Sequence, residues 1–154
     1  MKYVIGLIDD IRDERLYIQR TIITNLPASV RRNEVGFVEY PVKEIGITAQ
    51  NVINDITTSA ISSLIVDYQL VTDTANAEGT DIYKEIRESI PKFPLIMLTN
   101  FPDACHENKD FVDADKVYSK GDFLKLESPY SKEKVSYIFM NMDKYVRARA
   151  EGEK

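Results

Sequence analysis

The sequence predicts an α/β fold in which a parallel sheet is covered by helices on both faces. Two observations carry this expectation. Short, almost continuous apolar runs alternate with longer stretches of helical periodicity five times along the 154 residues. The runs also stop at polar residues instead of alternating with them, which is how strands buried on both faces read. Repeated strand–helix units join through right-handed crossovers into one sheet.

The first strand is Tyr3-Val4-Ile5-Gly6-Leu7-Ile8, stopped by Asp9 and Asp10. Ile18, Ile22 and Leu26 then recur on one helical face, and Pro27 closes that helix. Residues 35–40 (VGFVEY) form a second strand ended by Pro41, and Val52, Ile53, Ile56 and Ala60 trace the next helical face. Residues 62–68 (SSLIVDY) give the third strand, after which residues 69–80 read as one long irregular connection. Ile82, Ile86 and Ile90 mark a helix bracketed by Pro91 and Pro94, and residues 95–99 (LIMLT) are the fourth strand. A polar segment over roughly 103–114 is read as a helix, and residues 116–119 (KVYS) as a short fifth strand. The last helix carries Val135, Ile138, Phe139, Met142, Tyr145 and Val146 on one stripe, and Tyr137, Phe139 and Tyr145 read as core packing. The domain is expected over residues 1–146, with 147–154 as a fraying polar tail.

Composition narrows the function classes. Twenty Lys and Arg against 25 Asp and Glu leave a net charge of −5, which argues against nucleic acid or an anionic membrane as partner. No apolar run approaches the roughly 20 residues of a bilayer span, and Asp9 and Asp10 interrupt the opening run too early for a signal peptide. The single cysteine, Cys105, rules out an intramolecular disulfide and fits a reducing compartment, so a cytoplasmic location is expected. Cys105-His106 lacks further soft ligands to complete a metal site, and Asp110, Asp113 and Asp115 read as a solvated acidic face.

The chemistry lies at the strand ends. In an open parallel sheet ligands collect beyond the carboxyl ends of the strands. There the first strand offers Asp9 and Asp10, the third Asp67, the fourth Thr99, and the fifth runs into Lys120. Three carboxylates at one rim repel one another unless a cation sits among them, and oxygen-only ligands at a wet rim favour Mg²⁺. A carboxylate beside such an ion can act as a nucleophile toward phosphorus and become an aspartyl phosphate. Lys120 and the Thr99 hydroxyl would then neutralise and hydrogen-bond the phosphoryl oxygens.

This constellation resembles the response-regulator receiver domain, the CheY-like family, over nearly the whole chain from Tyr3 to about Val146, with all five signature positions filled. The resemblance implies a flavodoxin-like five-stranded sheet of order 2-1-3-4-5 flanked by five helices. It implies Asp67 as phosphoacceptor, Asp9, Asp10 and Asp67 as Mg²⁺ ligands with the Gln69 backbone carbonyl, Thr99 as switch hydroxyl and Lys120 as the phosphoryl-bridging cation. It further implies a histidine kinase or histidine phosphotransfer protein as donor, an unknown downstream protein as output, and compatibility with a homodimer. Only 34 residues follow Lys120, so a stand-alone receiver is expected, a phosphoacceptor and not an enzyme of multiple turnover.

The chain departs from the family at several points. Gly121 stands where proline usually follows the lysine, and Val117 stands where the switch aromatic is usual, with Tyr118 one residue on and facing the other way. Asn100 and Phe101 are bulkier than usual after the threonine, and the connection after Asp67 is long. These departures imply atypical phosphoryl turnover and a modified switch. The alternatives are a phosphorylation-independent interaction domain, a phosphate sink without conformational output, and a Mg²⁺-dependent phosphohydrolase. The last is disfavoured because Gln69 occupies the place of the second aspartate that haloacid-dehalogenase-like enzymes carry.

Overall fold

The computed structural model describes residues 1–42, 45–71, 76–100 and 116–152. Five strands form an all-parallel sheet: β1 (Tyr3–Ile8), β2 (Val35–Glu39), β3 (Ser63–Asp67), β6 (Leu95–Thr99) and β7 (Val117–Ser119), in the spatial order β2-β1-β3-β6-β7. This is the expected 2-1-3-4-5 order once the two strands of a small hairpin, β4 (Gln69–Val71) and β5 (Asn76–Glu78), are set aside. The order reverses direction between β1 and β3, whose pairing of Ile8 with Val66 brings Asp9 and Asp67 to the same edge.

Side-chain alternation divides the core into two layers. Leu64 and Val66 of β3 and Leu95 and Met97 of β6 face α2 (Ile45–Thr57) and α3 (Gly79–Ser89), packing on Ala49, Val52, Ile56, Ile82, Tyr83 and Ile86. Ile65, Ile96 and Leu98 face the opposite way, toward Ile18 and Ile22 of α1 (Arg12–Thr24) and Val135, Ile138, Phe139 and Met142 of α5 (Pro129–Gly152). Each such side chain contributes about 1.5–3 kcal/mol on burial, so two continuous layers define a stable sandwich. Gly6 is required by close approach: a Cβ there would lie 2.8 Å from Leu64 Cδ1 and 2.9 Å from Tyr40 Cε2.

Residues 69–80 are not one irregular connection, since β4 and β5 pair antiparallel with Gln69 opposite Glu78, and α3 already begins at Gly79. Three-residue strands without alternating apolar residues are too short to stand out in a sequence. Ala60 lies beyond the helix, because α2 ends at Thr57 and Ser59 adopts φ 63°. There Ala60 N–H donates to the Asp55 carbonyl (2.7 Å) and Ser59 N–H to that of Ile56 (3.1 Å), a Schellman termination built without glycine.

Val146 is exposed, off the stripe expected to pack, and α5 runs on to Gly152 through the stretch expected to fray. Arg149 explains the continuation. Its guanidinium donates to the carbonyls of Ile56 (2.9 Å) and Thr57 (2.8 Å), capping the C-terminus of α2. The helix expected over 103–114, with Phe101, the Cys105-His106 pair and the Asp110, Asp113 and Asp115 cluster, lies outside the described residues. Among the described residues, no helix is long and apolar enough to cross a membrane.

Candidate functional site

At the carboxyl edge of the sheet, β1 delivers Asp9, β3 delivers Asp67, and α4 (Lys120–Phe123) begins at Lys120 directly after β7. All three side chains are buried, Asp9 to within 1% of its surface. The Lys120 ammonium lies 2.8 Å from Asp67 Oδ1 and 3.1 Å from Asp9 Oδ2. Gly121 therefore does not prevent the lysine from reaching the acidic edge. The glycine sits inside α4, where an added Cβ would meet Asn100 Oδ1 at an ordinary 3.6 Å.

Backbone elements hold the ends of this network. Ile11 N–H donates to Asp9 Oδ1 at 2.9 Å, at the entrance to α1, whose N-cap residue Ile11 supplies no side-chain acceptor of its own. Arg15 pins the same corner, donating from Nη1 to the Asp9 carbonyl at 2.7 Å and from Nε to Glu39 Oε1 at 2.7 Å. On the other side Ser119 N–H donates to the Tyr130 hydroxyl at 2.8 Å, fixing the residue before Lys120 to the first turn of α5. The Lys134 ammonium covers the Tyr130, Tyr118 and Tyr137 rings at 5.2, 5.2 and 5.3 Å, which supports that turn further.

Sequence reasoning missed Glu14. Its carboxylate is hydrogen-bonded to the Lys120 ammonium. Asp9, Glu14 and Asp67 each present an oxygen within 4.8 Å of the other two. Asp10 is not part of that trio. It is half-buried and, with Asp9, Arg15, Glu39 and Tyr40, lines a neighbouring cavity of about 430 Å³. Thr99 is buried at the end of β6, in register with Ser119 of β7, and Gln69 opens β4 two residues past Asp67. Tyr118 turns as expected. It is buried in the α1/α5 layer and stacked on Phe123 at 6.3 Å, while Val117 packs on the opposite layer.

The electrostatics follow from one cation among three anions. At about 5 Å and an effective dielectric of ~20, two like charges repel by roughly 3 kcal/mol, and burial adds to the cost of ionisation. Burial is the largest cause pushing the Asp9 carboxyl up to about 7, with Glu14 and Asp67 adding to it and the Ile11 N–H and Lys120 opposing it. Burial likewise pushes Asp67 up to about 6 against the hydrogen bond and charge of Lys120, with the charges of Glu14 and Asp10 helping. Lys120 is itself held above the ordinary lysine range, because burial is outweighed by its hydrogen bonds to Asp67 and Glu14 and by the nearby carboxylates. An excess of buried negative charge with oxygen-only donors suits a hard divalent cation.

A five-stranded parallel sheet of order 2-1-3-4-5 with helices on both faces is the fold of response-regulator receiver domains, and this chain has that fold. Comparison with solved structures agrees. The receiver domain of nitrogen regulatory protein C, a solution structure of its apo form, superposes with a TM-score of 0.56 at 15% identity, covering 94% of this chain and 98% of that one. The response regulator RcsB of Salmonella typhimurium gives a TM-score of 0.54 at 16% identity, covering 86% of this chain and 68% of that one. No family model and no curated protein sequence matches the chain.

Proposed function

We propose that this chain is a phosphoacceptor module of two-component signalling, modified at Asp67. The observation that carries the reading is the buried Asp67 carboxylate, held 2.8 Å from the Lys120 ammonium beside Asp9 at the carboxyl edge of the sheet. An Asp67 oxygen attacks the phosphorus of a phosphohistidine on a histidine kinase or phosphotransfer protein. The phosphorus–nitrogen bond breaks, and the histidine nitrogen keeps the bonding pair. Lys120 follows the negative charge that develops on the phosphoryl oxygens, and Thr99, at the end of the adjacent strand, would hydrogen-bond them through its hydroxyl.

The carboxylates of Asp9 and Asp67, joined by Asp10 or the Gln69 carbonyl, would hold Mg²⁺, which when bound would neutralise charge on the transferring group. The test is incubation with phosphoramidate and Mg²⁺ followed by intact mass measurement. One phosphate should be added, and Asp67→Asn should abolish the addition. An unmodified wild type, or modification that survives Asp67→Asn, would remove this reading.

A second reading, an interaction domain indifferent to phosphorylation, draws on Tyr118. Its burial against Phe123 leaves it no role as a mobile switch aromatic near Thr99. Equal partner affinity of wild type and Asp67→Asn would favour that alternative.

A further inference from the structure

An alkylammonium has three N–H donors, and in this chain all three have a carboxylate partner: Asp9, Asp67 and Glu14. No donor of Lys120 is left over for a phosphoryl oxygen. Binding one therefore requires an existing partner to let go. Asp9 is the worse candidate, because its side chain is only 1% exposed, cannot turn to water and would keep only the Ile11 N–H as a partner. Asp67 keeps its contact with Lys120 through Oδ1 while its other oxygen, Oδ2, attacks phosphorus. Glu14 can let go, since its side chain is 29% exposed at the surface of α1 and finds water by a rotamer change.

Resting on the acceptor reading above, we infer that Glu14 acts as a built-in phosphoryl surrogate, which occupies Lys120 in the unmodified protein and is displaced from it on phosphorylation. It is a positioning residue, acting on the reaction only through Lys120. With phosphoramidate the events balance simply. An Asp67 oxygen bonds to phosphorus, the phosphorus–nitrogen bond breaks, and the nitrogen leaves as ammonia with the bonding pair and its own three protons. Lys120 exchanges one hydrogen bond from the Glu14 carboxylate to a phosphoryl oxygen, and no proton changes hands in that exchange. The freed Glu14 turns to solvent on the helix that also exposes Leu16 and Tyr17, so the modified state presents an altered α1 surface.

The experiment compares wild type, Glu14→Gln and Glu14→Ala in three measurements: rate of phosphoramidate labelling with Mg²⁺, calorimetric affinity for beryllofluoride with Mg²⁺, and thermal midpoint. Glu14→Gln keeps the shape and removes the charge. It should label faster and bind beryllofluoride more tightly, each by about fivefold or more, with little change in midpoint. Glu14→Ala should move both in the same direction. Labelling and beryllofluoride affinity within about twofold of wild type would overturn the inference and leave the acceptor reading standing. A loss of either in Glu14→Gln would also overturn it, by assigning Glu14 to cation binding. No labelling in any of the three proteins would remove the acceptor reading, and this inference with it.

Discussion

Replacing Lys120 by methionine isolates the central electrostatic claim. The side chain keeps its length and apolar stem, but the three carboxylates lose the cation between them. At pH 8 Asp9 and Asp67 are ionised, and removing one partner of a buried ion network costs about 3–5 kcal/mol. At pH 5 the expectation differs, because Asp9 titrates near 7 and Asp67 near 6 in the folded protein. Both are then mostly protonated, Lys120 no longer faces two buried anions, and its removal costs about 1 kcal/mol.

The sign is set by the direction of the shifts. Both carboxyls titrate higher folded than unfolded, so the native state binds the extra protons between about pH 4 and 7 and loses stability as pH rises through that window. Without Lys120 the opposing charge is gone, and the loss becomes steeper and reaches to higher pH. Lys120 itself, raised on folding, contributes stability that is complete below its unfolded pKa and disappears only in strong alkali. Urea unfolding of both proteins at pH 5, 6, 7 and 8, followed by circular dichroism, gives the difference at each pH. A difference that is constant across the series, or below about 1 kcal/mol at pH 8, would mean that the ammonium does not hold these carboxylates together.

Two further expectations concern the scaffold. Ser59→Gly should raise stability by about 0.5–1 kcal/mol in the same unfolding assay, since φ 63° costs serine and not glycine; an unchanged midpoint would argue against the left-handed termination of α2. Gly6→Ala should lower stability by about 1–3 kcal/mol, because the new methyl collides with Leu64 and Tyr40 in a filled layer.

The parallel sheet was legible in the sequence because its central strands β1, β3 and β6 are buried on both faces and say so in apolar runs that end at Asp9, Asp67 and Thr99 at the carboxyl edge. For the same reason Asp67, Asp9 and Lys120 could be named before any coordinates. Glu14 could not. It is one of several charged residues in the opening turns of α1, and nothing in the local pattern distinguishes it from Asp13 or Arg12. Its role depends on the angle at which α1 leaves β1, a tertiary property. The β4–β5 hairpin was hidden because its six residues carry no alternation, and the extent of α5 because Arg149 is stabilised by carbonyls of a helix more than ninety positions earlier.

That last contact bears on how the molecule can respond. At 1.5 Å per residue the 24 residues of α5 extend about 36 Å, against about 20 Å for a six-residue strand such as β1. Its leading turn grips Ser119, the residue ahead of Lys120, and its trailing turn is bolted to the helical layer across the sheet. Sliding one layer over the other would shear both fastenings at once. The sandwich is thereby stiffened like a braced frame, and rearrangements at the acidic edge are channelled into swings of individual side chains.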